Sequence, residues 1–340
     1  MKTAVFVFSE AGCALAEKLR DLLPGEQLSV HSIPKYAGPH GFTAHESLRA
    51  DMGGLFASHD ALIFIGACGI AVREIAPHIK SKLTDPAVVV LDDHARFVIP
   101  ILSGHIGGAN ALAELLAARL GAAAVITTAT DIAGRFACDS WAVKNGCAIS
   151  SIKAAKDFSA EILQRDLPVC SDYPLPAVLP PGLRAGTRGK IGLYIGLQRK
   201  EPFEETLRLV PRLLILGIGC RRGTAADAIR AAAEKALAQE NLDGAALAGI
   251  ASIDIKQNEE GLLSYAKAQH LPLRFYTAEE LASAETPGGF AESDFVRRTV
   301  GVGNVCERAA VFSGGKLLIR KTVSDGVTAA LAVRDWRLEF

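Results

Sequence analysis

The chain has 340 residues, too many for one ordinary core, so two or three domains are expected. Lys plus Arg and Asp plus Glu number 37 each, and this balance removes the electrostatic case for nucleic acid or an anionic membrane as a partner. Seven scattered cysteines form no CxxC pair, which removes zinc-ribbon and redox-motif readings, and the longest apolar runs are too short for a signal segment or a membrane span, so the expected compartment is the cytoplasm.

Residues 3–8 (TAVFVF) read as a buried strand, followed by a helix with Ala14, Leu15, Leu19 and Leu22 at helical spacing, closed at Pro24-Gly25. Leu28–His31 is a short strand. Residues 32–43 carry prolines and glycines and read as a loop, and a helix is expected from about Glu46 to Phe56. Ala61–Ile65 is a strand that ends in Gly66-Ala67-Cys68-Gly69 and leads into a helix reaching about Ile79. Val88–Leu91 and Phe97–Leu102 are strands around the polar turn Asp92-Asp93-His94. The turn Ser103-Gly104-His105-Ile106-Gly107-Gly108 opens an alanine- and leucine-rich helix to Leu120, and Ala123–Thr127 is a further strand. Strands alternating with helices predict a doubly wound, mostly parallel N-terminal sheet over 1–137. Residues 138–210 read as a small middle segment, helical at first, then rich in proline and glycine, with Arg199–Pro211 a charged linker or edge. Residues 211–340 restart the pattern as a separate α/β C-terminal domain, with Thr224 expected to cap the helix after Gly217–Gly223 and a second glycine turn at Gly301–Glu307.

Glycine turns at helix starts present backbone N–H groups that bind carboxylates or phosphates. Gly217-x-Gly219-x-x-x-Gly223 has its third glycine one residue too late for a dinucleotide fingerprint and lacks the Lys-Ser/Thr of a P-loop. It reads either as an anion-binding turn helped by Arg221 and Arg222 or as a purely structural turn. Ser103-Gly104-His105 is the sharpest local feature. Ser103 as nucleophile with His105 as its base does not match the elbow GxSxG. The better functional reading has His105 as general base or acid, with Ser103 and the Gly107-Gly108 amides holding an anion; the bland reading is a tight turn. Asp92-Asp93-His94 reads as a charged hairpin tip rather than a metal site. Arg73 either meets a ligand carboxylate or a surface partner, and His40 and His45 have no visible partner. Cys68 and Cys220 each lie in a glycine turn, where a helix N-terminus can lower a thiol pKa and make it reactive, but a small residue that fits the turn is the better reading. Glu307 either accepts a hydrogen bond from a ligand or serves a helix start.

Three strings together look familiar. Gly66–Pro77 (GACGIAVREIAP), Asp85–Asp92 (DPAVVVLD) and Val98–Asn110 (VIPILSGHIGGAN) resemble the amino-terminal half of the cobalt-precorrin 5A hydrolase family of anaerobic cobalamin biosynthesis. Gly217–Gly223, Ala251–Lys256 and Gly301–Glu307 resemble its carboxy-terminal domain. The family pattern often has an acidic pair after the lysine, where this chain reads Lys256-Gln257-Asn258-Glu259. The resemblance implies a substrate that is a cobalt-bound, ring-contracted tetrapyrrole bearing a δ-lactone; water opens the lactone and acetaldehyde leaves, giving cobalt-precorrin 5B. It implies no cofactor and no protein metal site, the cobalt being carried within the substrate, and neighbouring corrin-pathway enzymes as partners. On this reading His105 and Ser103 are the catalytic candidates. Gly66, Cys68, Gly69, Arg73, Gly104, Gly107, Gly108 and Asn110 would bind substrate in the first half, and Gly217, Gly219, Cys220, Arg221, Gly301, Gly303 and Glu307 in the second. A non-catalytic tetrapyrrole carrier is the rival expectation; release of acetaldehyde separates the two.

Overall fold

The computed structural model describes residues 1–23, 25–81, 84–105 and 107–340; Pro24, at the expected end of the first helix, and Ile106, inside the Ser103 turn, lie outside the described residues. The chain forms two compact units, Met1–Val143 and Lys144–Phe340.

The first unit runs β1 (Lys2–Val7), α1 (Glu10–Leu22), β2 (Gln27–Ser32), α2 (Pro34–His40), β3 (Thr43–Ala44), α3 (Leu48–Ser58), β4 (Ala61–Ile65), α4 (Cys68–Ile75), β5 (Ala87–Leu91), β6 (Phe97–Leu102), α5 (Ala109–Leu120), β7 (Ala123–Ala124), α6 (Ala129–Ile132) and α7 (Cys138–Lys144), the last crossing into the second unit. Its sheet has the order β3-β2-β1-β4-β5-β6-β7. Neighbours are parallel except β5 and β6, which form an antiparallel pair. Alternate residues of the apolar strands face opposite ways, so both faces need cover. Val5, Ile63, Ile65, Val89 and Leu91 pack with α1 and α5, while Phe6, Leu62, Phe64 and Val90 pack with α3 and α4. That is the doubly wound sheet expected. The segment read as a loop at 32–43 contains α2. Its prolines and glycines are helix punctuation rather than loop signals: Pro34 starts the helix and Gly41, at φ 63°, ends it. Asp92 spends its carboxylate on its own turn, accepting from the backbone N–H of Arg96 and Phe97.

The histidines that lack sequence partners acquire them through the fold. His40 lies between Glu17 and Glu10, at 2.9 and 3.0 Å. His45 Nδ1 sits 2.7 Å from Asp51, His45 Nε2 sits 2.8 Å from His31 Nδ1, and His31 Nε2 sits 2.8 Å from the Ser29 hydroxyl. The carboxylate can only accept, so with both rings neutral each ring donates from Nδ1 and accepts at Nε2. Burial, with the neighbouring His45 and His59 rings, holds His31 down at about 4 from its ordinary 6.5. An unfolded chain takes up this proton below about pH 6.5 and the folded chain only near 4. Stability is therefore lost as pH falls through that window, by about 3 kcal/mol at most. Urea unfolding at pH 7 and pH 4.5 should show the drop in the wild type and a shallower one in His31→Asn; equal slopes would refute it.

The second unit holds two sheets. β8 (Cys147–Ile149), α8 (Ile152–Ile162), β9 (Leu167–Ser171), β10 (Leu183–Ala185), β11 (Ile191–Ile195) and β12 (Glu205–Pro211) build a sheet of order β10-β9-β11-β12-β8. The expected linker is thus strand β12 from Glu205 on. Its charges cluster before the strand, and within it Leu207, Leu209 and Val210 are buried while Arg208 reaches Asp243 at 2.8 Å. The chain continues as β13 (Leu214–Cys220), α9 (Ala226–Ala238), β14 (Leu247–Ile253), α10 (Glu260–Ala268), β15 (Leu273–Tyr276), α11 (Ala278–Ala282), α12 (Asp294–Val300), α13 (Cys306–Phe312), β16 (Lys316–Ser324) and β17 (Val327–Val333). This sheet is ordered β15-β14-β13-β17-β16, with β13, β14 and β15 parallel. Helices α9 and α10 cover one face, α11 and α13 the other. The boundaries expected at 137/138 and 210/211 stand beside this two-unit division, in which the middle and C-terminal sheets share a unit: Val210 packs directly in the core under α9. No helix among the described residues is long and apolar enough to cross a membrane.

Candidate active site

In the first unit the sequence-derived residues fall at two opposite ends of the sheet. Because β6 runs against β5, Leu102 pairs with Val88 at the start of β5, whereas Gly66 donates to Leu91 at its finish. Gly66, Cys68, Gly69 and Arg73 therefore gather at the carboxyl ends of β1, β4 and β5, where the strand order reverses. There Ser9 caps α1 by accepting from Gly12 and donates to Asp93 at 2.9 Å. Arg73 is exposed, its guanidinium lying over Gly69. Ser103, Gly104, His105, Gly107, Gly108 and Asn110 lie at the other end.

The Ser103 turn is tight for a steric reason. Ser103 holds φ 56°, unusual for a residue with a side chain. A Cβ on Gly107 would stand 2.3 Å from that of Ser103, so only glycine fits there. The turn also spends amides on itself: Gly108 donates to His105 O, Ala109 to Ser103 O and Asn110 to Gly104 O. The expected anion cradle of Gly107-Gly108 amides thus loses the Gly108 N–H to the turn's own closure. The Asn110 side chain donates to Thr128, which ties the helix start to the segment after β7. Ser103 Oγ is shielded from solvent and has no hydrogen-bond partner among the described residues. A buried hydroxyl of that kind is costly unless something else meets it.

His105 has a partner that sequence reading missed. Its Nδ1 lies 2.9 Å from Asp139 Oδ2, and the two side chains are only 13% and 16% exposed. Asp139 lies in the first turn of α7, and its other oxygen accepts from the Ser140 amide. Burial works against the charged carboxylate, but the hydrogen bond and charge of His105, with the Ser140 amide, outweigh it and hold Asp139 below its usual range. A charged Asp139 accepts from Nδ1–H, which orients the imidazole. That is the arrangement of a general base oriented by a carboxylate. No sequence signal links residues 34 positions apart; the turn and α7 meet only in the fold.

The second unit carries a cavity of about 540 Å³ at the carboxyl ends of β13 and β14. Four of the residues singled out in this half, Gly219, Cys220, Arg221 and Gly303, line it. Its walls are largely apolar, with Ile253 at the end of β14, Ile255 just after it and Phe295, Val296 and Val300 from α12, while Arg222, Lys256 and Lys321 add positive charge. Lys256 pairs with Glu259 at 3.0 Å, and Glu259 also accepts from Gly223. That amide and the Lys256 ammonium lower the Glu259 carboxyl below its usual range. Burial pushes the Cys220 thiol up, the wrong direction for a nucleophile. Thr224 does not cap α9: the cap is Ala225, and the Thr224 hydroxyl donates to Arg221 O.

Three other residues stand away from the lining. Gly217 is buried, where a Cβ would come 1.8 Å from Cys306 O; it is glycine so that α13 can pack on β13. Gly301 ends α12 at φ 86°. Glu307 is fully buried, accepting from the backbone N–H of Ala291 and Lys321, and Asn304 bonds both Ala291 O and Glu307 N. This pair pins the loop before α12 to the start of α13, a framework role in place of a ligand contact. No group of three or more metal-ligating side chains gathers among the described residues.

Comparison with known proteins agrees with both halves. The profile of the family described as cobalamin synthesis G N-terminal matches residues 51–131, and that of cobalamin synthesis G C-terminus matches residues 214–332. The cobalt-precorrin-5A hydrolase of Salmonella typhimurium is 36% identical over 352 aligned residues, 97% of each chain. The chain belongs to the cobalt-precorrin-5A hydrolase family. The cobalt-precorrin-5A hydrolase of Priestia megaterium is 33% identical over 84% of this chain and 82% of its own. A solved cobalamin biosynthesis protein G homolog from Sulfolobus solfataricus is 24% identical, covers 98% of this chain and 97% of its own, and has a TM-score of 0.38. As a cobalt-precorrin-5A hydrolase family member, the chain is an enzyme of cobalamin biosynthesis. The Val98–Asn110 string that carries the resemblance is the segment that delivers His105 to Asp139.

Proposed function

We propose that the chain opens the δ-lactone of cobalt-precorrin 5A with water and releases acetaldehyde, giving cobalt-precorrin 5B in the cytoplasm beside neighbouring corrin-pathway enzymes. The observation that carries the catalytic reading is the 2.9 Å contact of His105 Nδ1 with Asp139. His105 Nε2 takes a proton from water as its oxygen adds to the lactone carbonyl. The ring C–O bond breaks, and the departing alkoxide takes a proton from the imidazolium. With the Gly108 amide spent internally, the Gly107 N–H and Ser103 Oγ are the donors for the developing oxyanion. The freed hydroxyl then gives its proton to the again-neutral His105 as the C–C bond breaks and acetaldehyde forms, and the macrocycle receives the electron pair. Cobalt enters within the substrate, and the chain supplies no cofactor of its own.

The cavity of the second unit suits the macrocycle. Apolar walls accept its faces, and Arg221, Arg222 and Lys321 suit its acetate and propionate arms. Purified chain given cobalt-precorrin 5A should release one acetaldehyde per substrate; binding without release would make it a carrier. Arg221→Ala should raise KM about tenfold with kcat little changed, since a peripheral carboxylate contact is equal in ground and transition states. An unchanged KM would remove Arg221 from substrate binding.

A further inference from the structure

We propose that Phe295 is the residue that recognises the flat macrocycle: its ring stacks against a face of the tetrapyrrole and selects it over an open-chain polycarboxylate. The proposal rests on the reading of the 540 Å³ cavity as the substrate pocket. Phe295 lines that cavity, yet its side chain is 78% exposed. It stands on α12, a seven-residue helix with no buried residue, so the ring contributes nothing to a core. Ile255, on another wall of the same cavity, is 58% exposed. Two large apolar side chains left in water around one cavity are explained by a ligand with an apolar face.

The surroundings brace the helix that carries the ring without burying the ring itself. Ser293 caps α12 by accepting from Val296, and its N–H donates to Gly303 O. The buried Asn304–Glu307 pair clamps Ala291 just upstream. An exposed aromatic on a braced helix loses little freedom on binding, which favours a stacking platform over a chance surface residue. The charges of the cavity cannot make this selection alone, because Arg221 and Lys321 would greet any carboxylate.

The test uses the full chain and two probes followed by absorbance and fluorescence: cobyrinic acid, a cobalt corrin with free carboxylate arms, and hexaglutamate, which has carboxylates without a macrocycle. The wild type should bind cobyrinic acid more tightly than hexaglutamate. Phe295→Ala should weaken cobyrinic acid about tenfold or more and leave hexaglutamate unchanged. Phe295→Trp should keep corrin binding, with an added indole emission that bound corrin quenches. Being exposed, the position tolerates both changes without loss of fold. Equal corrin affinity in wild type and Phe295→Ala, or an unquenched indole at saturation, overturns the stacking role alone. Failure of the wild type to bind cobyrinic acid at all overturns the pocket reading, and the stacking role with it.

Discussion

His105→Ala should release acetaldehyde from cobalt-precorrin 5A about 10²- to 10⁴-fold more slowly than the parent chain, the range expected for loss of a general base. The circular dichroism spectrum should be retained, since the turn is braced by backbone hydrogen bonds, while the melting temperature drops modestly because the part-buried Asp139 carboxylate loses its partner. Asp139→Asn tests the orienting partner. It keeps the shape but removes the charge that stabilises the protonated ring as water is activated, so kcat should fall about tenfold or more with KM unchanged. A His105→Ala enzyme that turns over normally would take His105 out of the mechanism. A silent Asp139→Asn would reduce that contact to a structural one.

Gly217→Ala should cost about 3 kcal/mol or more, because the added methyl meets the carbonyl oxygen of Cys306 rather than a side chain that can swing away. In a unit of this size that lowers the melting temperature by roughly 6–12 °C. Gly223→Ala is the control from the same motif. A Cβ there meets nothing within 4 Å, and the cost is confined to holding φ 74°, about 1 kcal/mol. Similar losses for the two variants would show that Gly217 is not set by the approach of α13. The contrast separates two glycines that look alike in the sequence, one making room for a helix and the other turning a corner.

Much of the architecture was legible because local patterns specify element type. Uninterrupted apolar strings such as Ala61–Ile65 and Ala87–Leu91 are all buried, as strands covered on both faces must be. The same rule failed where punctuation has two meanings. Pro34 and Gly41 bound a helix, and the charges ahead of β12 masked the buried alternation of Leu207 and Leu209. In the site, residue types were legible but their assembly was not. The sequence singled out Gly219, Cys220, Arg221 and Gly303, which do share a cavity, and also Gly217 and Glu307, which serve the packing beside it. A string of letters does not distinguish a glycine that opens a surface from one that admits a neighbour.

By itself the sequence determined the α/β class and the family, and it singled out the Ser103–Gly108 turn as a candidate. It even contained the reversal of β6, because the few residues between Leu91 and Phe97 are too short a connection for a parallel crossover. Only the tertiary structure decided that this reversal carries Ser103 and His105 to the end of the sheet opposite Gly66 and Arg73, and that Asp139 waits there. Spacing along a chain fixes which way a side chain points within one element. Which distant groups it meets depends on pairing and packing between elements, and His105 acquires its carboxylate by that route.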